Sequence, residues 1–335
     1  MDELIFFINK VVVSGLVTGS IYALGGIGVT LIFGTMRFAH FAHGDMMTMG
    51  AFFSFLFAAI LTSLGVTLPI PLGFAVLPLS MAVTAVLALF IDRTFYAPLR
   101  QRGAKPVTLL IASIGVTLMI QGLIRLFFGS STRDFFAGTE NKTIYRIPLD
   151  WLGGTRPIVL TQPQVLMFIL TAVSIIGVHL FLTRSRLGKA MRAMADNEAL
   201  AQVSGINTQM VIIITWLIGG ALAALAGTML ALDVNLRPDL AFNIILPIFA
   251  AAVVGGLGNS YGAIAGGMLI GFTEAMAVFN WTAVLRPLQP LLPEGWTLPA
   301  NLAVVPTEYK LTVAFVILVI TLLARPTGIF KGAST

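Results

Sequence analysis

Long apolar runs, separated by short polar loops, constrain the fold of this chain more than any other feature of its sequence. Several runs reach the roughly 20 residues that an α-helix needs to cross the hydrocarbon core of a bilayer. The alternating short strands of a membrane β-barrel are absent from the sequence. The runs, in order, are Val11–Met36, Met46–Leu64, Ile70–Ile91, Val107–Phe128, Val165–Leu182, Met210–Leu232, Phe242–Gly256, Tyr261–Phe279 and Leu311–Ala324. They predict a bundle of membrane-spanning helices.

The composition excludes an ordinary soluble domain. Charged residues occupy only 10% of the 335 positions, whereas an average soluble domain has about 25%. Hydrophobic residues make up 57% of the chain, and the mean hydropathy is +0.95. So few charges cannot cover a surface that faces water, which indicates that most of the surface faces lipid. The chain has no cysteine, which excludes disulfides and thiolate metal sites.

The distribution of charge predicts the orientation of the chain in the membrane. The net charge is +6, but the basic residues lie in short loops between apolar runs, which argues against a nucleic-acid partner. Short cytoplasmic loops of membrane proteins are enriched in Lys and Arg. The basic stretches carry Arg93, Arg100, Arg102 and Lys105, then Arg184, Arg186, Lys189 and Arg192, and finally Arg325 and Lys331. We therefore predict that these stretches and the C-terminus are cytoplasmic, and that the N-terminus lies outside.

This alternation of loops requires about nine crossings. The runs that begin near Met46 and Phe242 are short, so eight spans with a re-entrant segment also fit the sequence. We predict an all-α polytopic integral membrane protein with about nine (8–10) transmembrane helices and broken or re-entrant segments, in one transmembrane domain over residues 1–335. Asp2 and Glu3 have the wrong sign for the start of a secretory signal, so we expect the first span to be retained.

Two outer stretches offer surfaces for an external partner. The outer loop, residues 129–164, mixes charged residues with prolines and glycines. The second stretch, residues 281–308, contains too many prolines for a continuous helix. Either stretch could bind a partner or simply connect two spans, and the residues alone leave both interpretations open.

The cytoplasmic loop, residues 184–208, begins basic and then becomes favourable for a helix. The sequence predicts a helix from Ala190 to Val203, ended by Gly205 as its C-terminal cap. A short amphipathic helix in such a loop suits docking into a groove of a soluble partner. It equally suits a helix lying at the bilayer interface, anchored by its arginines.

Glycines four residues apart predict close helix packing. This spacing brings helix backbones together where lipid supplies no hydrophobic driving force between helices. It does not distinguish static packing from helices that slide. The pairs are Gly15 and Gly19, Gly262 and Gly266, and Gly267 and Gly271.

Motifs for catalysis are missing from the sequence. It contains no G-x-S-x-G, no H-E-x-x-H and no Walker motif, since Gly188 and Lys189 are followed by Ala190. We predict no enzymatic activity, no cofactor and no ATP binding of its own. Uphill transport would then take its energy from an ion gradient or from another subunit. Glu274 lies within an apolar run, where it could relay protons, contact a substrate or hydrogen-bond a neighbouring helix.

The stretch "FAHFAHGD", Phe38 to Asp45, concentrates polar residues between two apolar runs. It holds His40, His43 and Asp45, which leaves His179 as the only other histidine. These side chains could be metal ligands, a proton relay or the polar hinge of a moving helix pair. The residues alone do not choose among these.

Three stretches resemble the signatures of the LivH-type permeases, the membrane subunits of bacterial ABC importers for branched-chain and other hydrophobic amino acids. The stretches are "GLVTGSIYALGGIGVTLIFGTMRFAHFAHGDMMTMGAF", "RAMADNEALAQVSGIN" and "VVGGLGNSYGAIAGGMLIGF". The resemblance covers essentially the whole chain in order. It implies a multi-pass permease of the bacterial inner membrane. It also implies three kinds of partner: a homologous LivM-type permease, two cytoplasmic ATPase subunits that bind the ATP, and a periplasmic binding protein.

The resemblance also assigns roles to residues. The cytoplasmic loop corresponds to the family's coupling loop, a degenerate E-A-A-x-x-x-G motif in which Ala replaces the Glu. Its candidate coupling residues here are Asp196, Glu198, Ala199, Ala201 and Gly205.

The family usually has Asn where this chain has His40, which disfavours a two-histidine metal site. The favoured interpretation is a polar helix break, in which His43, Gly44 and Asp45 form the hinge or line the substrate pathway together with Glu274.

Alternatives remain for the transported substrate and the energy source. Relatives of this family carry urea, short amides or other small organic solutes, so the same machinery could serve one of these. A secondary carrier coupled to an ion gradient would need none of the partners. In such importers the binding protein selects the substrate, so the exact substrate is not expected to be readable from this chain.

Overall fold

The computed structural model describes residues 2–136, 143–148, 156–291 and 297–330. Parts of the outer loop, of the proline-rich stretch 281–308 and Lys331 therefore lie outside the described residues. The helices and strands are α1 (Asp2–Phe7), α2 (Val13–Met36), α3 (His43–Ser63), α4 (Leu72–Ala75), α5 (Leu77–Ile91), α6 (Ala97–Gln101), α7 (Pro106–Phe128), β1 (Ile144–Ile147), β2 (Ile158–Thr161), α8 (Gln162–Arg184), α9 (Arg186–Asp196), α10 (Glu198–Val203), α11 (Thr208–Asp233), α12 (Ile245–Gly255), α13 (Ser260–Ala277), α14 (Thr282–Leu285) and α15 (Lys310–Ala324).

Seven described helices are long and apolar enough to cross a bilayer: Asp2–Met36, His43–Ser63, Leu77–Gln101, Pro106–Phe128, Gln162–Arg184, Thr208–Asp233 and Thr307–Ala324. Single π-helical turns join α1 to α2 and α5 to α6 within two of them. Helix α13 has 18 residues, but its glycines and Glu274 make it less apolar. The prediction of a polytopic all-α membrane protein is confirmed, whereas the total of about nine spans is not.

Helices α2, α11 and α13 form the centre of the bundle. Nearly every residue of α2 is buried, because α13, α11 and α12 surround it. Helices α7, α8 and α15 lie at the periphery and expose large apolar side chains, among them Leu118, Ile169 and Leu323. Such a surface faces lipid and needs no charged residues, which explains the low charge content of the chain.

The chain breaks between α2 and α3 inside the bundle. Helix α2 ends where Arg37 adopts the left-handed conformation, with φ of 55°. Helix α3 then begins at His43, whose ring lies against Gly28. Gly28 is eight residues before the end of α2, about 12 Å along the helix. The chain therefore returns into the bundle before α3 starts, which is the broken arrangement predicted from the sequence.

Helix α12 is a second discontinuous element. It has 11 residues and is therefore only about 16 Å long, too short to cross a bilayer. Its first residue, Ile245, packs against Gly44 in the first turn of α3. The starts of α3 and α12 thus meet within the bundle.

Two loops differ from the sequence predictions. The loop 184–208 holds two helices, α9 and α10, so the prediction of one helix from Ala190 to Val203 is wrong. The break lies at Asn197, which has an extended backbone and accepts a hydrogen bond from the Leu200 amide as the N-terminal cap of α10. The loop 129–164 contains an unpredicted antiparallel pair of strands, β1 and β2, with Ile144 opposite Thr161.

Candidate functional site

A buried aromatic cluster surrounds the break between α2 and α3. The His40 ring packs edge-on against Trp216 at 4.9 Å and against Tyr96 at 5.3 Å between ring centroids. Tyr96 and Trp216 stack nearly parallel, with centroids 5.4 Å apart. The His43 ring lies 6.2 Å from that of His40. Residues of α11 and of the π-turn after α5 therefore enclose the histidine pair.

The polar atoms of this cluster are poorly satisfied. Among the described residues, no hydrogen-bond partner is found for either ring nitrogen of His40 and His43, for Trp216 Nε1 or for the Tyr96 hydroxyl. Each such group costs about 1–3 kcal/mol when it is buried unpaired. Both histidine rings are fully buried. Within the described residues, no three His, Asp or Glu side chains lie where they could hold a metal ion.

Asp45 connects this break to helix α7. Its Oδ1 accepts a hydrogen bond of 3.0 Å from Gln121 Nε2, and Gln121 Oε1 accepts one of 3.4 Å from Arg125. Asp45 is fully buried, and Oδ2 has no partner among the described residues. The polar chain runs from the first turn of α3 to the exposed Arg125 side chain in the last turn of α7.

Gly44 permits the close approach of the segment that precedes α12. A Cβ atom there would lie 3.0 Å from both the Ala241 carbonyl oxygen and Ile245 Cβ. The Ala241 amide also donates to Thr48 Oγ1 at 3.1 Å, one turn further along α3. The structure thus brings His43, Gly44 and Asp45 together at the meeting point of two discontinuous helices. Their role as a hinge stays a prediction.

Glu274 makes a separate set of contacts. It is fully buried, accepts a hydrogen bond of 3.1 Å from the Tyr22 hydroxyl and has Lys310 Nζ at 3.6 Å. These contacts tie α13 to α2 and α15. Of the three roles considered from the sequence, this geometry matches a hydrogen bond to a neighbouring helix.

The six glycines predicted to pack helices lie at two backbone contacts. Gly15, Gly19, Gly267 and Gly271 lie between α2 and α13, where a Cβ on Gly271 would be 2.4 Å from the Gly19 nitrogen. Gly262 and Gly266 lie between α13 and α12, where a Cβ on Gly266 would be 2.1 Å from the Ala251 carbonyl oxygen. At Gly262, Gly266, Gly267 and Gly271 a Cβ atom would meet the backbone of the neighbouring helix, so a larger side chain requires a helix to move. At Gly15 and Gly19 it would first meet the side chains of Phe272 and Met268.

The coupling residues predicted from the sequence lie on α9, α10 and the turn that follows. Asp196, Glu198 and Ala199 are exposed, whereas Ala201 is buried. Gly205 has φ of 83°, and the next amide donates to the Ala201 carbonyl at 3.0 Å, so it forms the predicted C-terminal cap.

Helix α10 also presents apolar side chains to solvent. Leu200 is 62% exposed and Val203 is 82% exposed. Large exposed apolar groups on such a helix are typical of a surface that contacts a protein partner or the bilayer interface.

Sequence reasoning missed three residues of this region. Tyr96 lies in the first basic stretch and Trp216 in an apolar run, and only the folded chain places them beside His40. Arg37 donates a hydrogen bond to the Ala195 carbonyl on α9 and so links the helix break to the cytoplasmic loop. A basic residue directly after the first apolar run was the available signal for Arg37.

Comparison with known proteins assigns the family. The sequence profile of the branched-chain amino acid transport system permease component matches residues 11–322. The permease protein BraD of Pseudomonas aeruginosa is 31% identical over 98% of this chain and 97% of its own length. LivH of Escherichia coli strain K12 is 30% identical over 98% of this chain and 96% of its own length; both are named as high-affinity branched-chain amino acid permeases.

One solved structure, PsaBC from Streptococcus pneumoniae in complex with a Fab, aligns with a TM-score of 0.47 at 12% identity, over 97% of this chain and 96% of that chain. The matches of the profile and of the two permeases run from the first span to the last and include both the helix break and the cytoplasmic loop. The chain is a multi-pass membrane protein that belongs to the family of permease components of branched-chain amino acid transport systems.

Proposed function

We propose that this chain forms the translocation pathway of an ABC importer for branched-chain or other hydrophobic amino acids. The observation that carries the proposal is the end-to-end alignment with BraD and LivH, which covers 98% of this chain. The alignment includes the spans, the helix break and the loop 184–208. The subunit itself performs no chemistry. Two cytoplasmic ATPase subunits hydrolyse ATP, a periplasmic binding protein delivers the substrate, and a homologous permease completes the pathway.

Helices α9 and α10 dock on an ATPase subunit in this proposal. This docking is supported by the exposed side chains of Leu200 and Val203, which offer an apolar contact to a groove on a soluble protein. The hydrogen bond from Arg37 to Ala195 joins α9 to the end of α2. A displacement of the loop by the ATPase therefore reaches the helix break directly.

The hinge consists of His43, Gly44 and Asp45. Irregular backbone at membrane depth is tolerated where it is buried in protein or lines a cavity, and discontinuous helices form the binding region of many transporters. The unpaired polar atoms of His40 and His43 favour a site that changes its surroundings during the transport cycle. The chain lies in the bacterial inner membrane with its N-terminus outside and its C-terminus cytoplasmic.

Reconstitution tests this function. The chain is purified with the proteins encoded beside it and placed in liposomes with ATP inside and binding protein outside. We expect uptake of labelled leucine that requires ATP and binding protein and survives a proton ionophore. Uptake of urea or acetamide in place of leucine would identify the alternative substrates. Uptake that needs an ion gradient but no partner would overturn the proposal.

A further inference from the structure

A pocket of about 510 Å³ lies where three helices end at the surface of the bundle. Its walls come from the last turn of α8, from α9 and from the start of α13. The side chains of Leu182, Lys189, Arg192, Asp196 and Tyr261 line it. The lining includes Asp196, one of the candidate coupling residues, and Ala195, whose carbonyl accepts the hydrogen bond from Arg37, whereas the exposed Leu200 and Val203 of α10 lie outside the pocket.

The charge of the pocket favours an anion. Lys189 and Arg192 are three residues apart and therefore share one face of α9. Both side chains are exposed, and neither forms an ion pair with a described residue. Asp196 is the carboxylate that lines the pocket, so the lining side chains carry a net charge of about +1. Helix α13 also directs the positive end of its dipole here, since it begins at Ser260.

The position of the pocket matches the headgroup layer of the bilayer. The last turn of the span α8 and the first turn of α13 both contribute to its walls. Beside it, His179 Nδ1 and the Tyr261 hydroxyl lie 2.8 Å apart, and both side chains are exposed. Tyrosine at the end of a span is typical of the membrane interface, where its ring meets lipid and its hydroxyl meets polar groups.

We propose that this pocket binds the phosphate of an anionic phospholipid, held by Lys189 and Arg192, with the acyl chains lying along the exposed face of α8 near His179. Basic pockets between helix ends at the cytoplasmic surface attract anionic headgroups in this way. The inference goes beyond transport and depends only on the embedding of the bundle in a bilayer. The bound lipid anchors α9 to the membrane beside the loop that carries α10.

The test uses the assembled importer in phosphatidylcholine nanodiscs with trace spin-labelled lipid. Electron paramagnetic resonance reports the motionally restricted fraction of labelled phosphatidylglycerol relative to labelled phosphatidylcholine. We expect the wild type to prefer phosphatidylglycerol, and Lys189→Gln with Arg192→Gln to lower that preference about tenfold. The matched control, Arg102→Gln with Lys105→Gln, removes two exposed cations from the other basic loop. It should change the preference for phosphatidylglycerol by less than about twofold.

A second variant tests the pocket without removing a cation. Asp196→Asn deletes the lining carboxylate and should raise the preference for phosphatidylglycerol about threefold or more. If the pocket variant and the control variant lose the preference for phosphatidylglycerol equally, the attraction is general electrostatics and the proposal is overturned. Loss of the ATPase subunits from the pocket variant, with an unchanged lipid preference, would also overturn it and assign the surface to protein docking.

Discussion

A single ring determines how closely two helices approach at the helix break. The His43 ring lies against Gly28, and a Cβ atom on Gly28 would be 2.5 Å from His43 Cε1. Gly26, two residues earlier on the same helix, has more room, because the corresponding Cβ would lie 3.5 Å from Ala263 Cβ. The two glycines therefore differ in what a methyl group would displace.

We expect Gly28→Ala to destabilise the purified complex by about 1–3 kcal/mol, because the methyl group forces the His43 ring out of its place. Gly26→Ala is the control and should be neutral or slightly stabilising, since Ala favours the helix by up to about 1 kcal/mol. Thermal unfolding of the two variants in detergent measures the difference. Equal melting temperatures would contradict the position of the His43 ring.

Substitutions of His40 and His43 distinguish a hinge from a metal site. We expect His43→Ala to slow uptake while expression and subunit assembly are retained. Removing the ring that packs against Gly28 changes the free energy by about 0.5–3 kcal/mol, which shifts a conformational equilibrium without unfolding the bundle. We expect His40→Asn to retain uptake, because neither ring nitrogen of His40 has a hydrogen-bond partner among the described residues that the substitution would leave unpaired. Its melting temperature should fall, since the ring packs on Trp216.

The measurements are leucine uptake, melting temperature and elemental analysis of the purified protein. A metal site predicts a different pattern, in which both substitutions abolish uptake and the wild type carries stoichiometric zinc or another transition metal. That pattern would exclude the hinge.

Among the elements, the cytoplasmic loop is held in shape by local caps. Ser185 caps α9 through the Gly188 amide at 2.8 Å, and Asn197 caps α10 through the Leu200 amide at 3.0 Å. Gly205 ends α10 in the left-handed conformation. These caps fix the direction in which α10 presents Val203 to a partner.

We expect Gly205→Val to reduce the stimulation of ATP hydrolysis by substrate-loaded binding protein, because a β-branched residue in the left-handed conformation costs about 1–2 kcal/mol and displaces the end of α10. Gly205→Asn is the matched control, since Asn tolerates this conformation. The assay compares ATPase activity with and without loaded binding protein. Full stimulation in Gly205→Val would contradict a role of this cap in coupling.

At the scale of the whole molecule, the orientation in the membrane is open to direct measurement, because the chain has no cysteine of its own. Gly103 has φ of 70°, so Arg102 beside it is the better site for a single cysteine. Gly138 in the outer loop lies outside the described residues, whereas Val304 is described and 74% exposed.

We expect cysteines at Arg102 and Lys189 to react in intact cells only with membrane-permeant thiol reagents, and cysteines at Gly138 and Val304 to react with impermeant ones as well. The physical reason is the concentration of basic residues in cytoplasmic loops. Labelling of Arg102→Cys by an impermeant reagent would reverse the predicted orientation.

The sequence by itself determined that most of the protein surface faces lipid. It also determined much of the local structure. Apolar runs of bilayer length can satisfy their backbone polar groups in lipid only as helices, so the all-α membrane fold was readable directly. Gly205 as a helix cap was also predictable, because glycine has no Cβ atom and adopts the left-handed conformation of a helix cap without a steric cost. The family resemblance rested on residues that stand close together in the chain.

Only the tertiary structure decided which distant segments meet. Apolar patterning does not distinguish a full span from the 11-residue helix α12, since both are apolar all round when buried. The environment of His40 depends on Tyr96 and Trp216, which lie 56 and 176 residues further along the chain. Such contacts follow from the pairing of helices in three dimensions, where close glycine packing, rather than hydrophobicity, selects the neighbours.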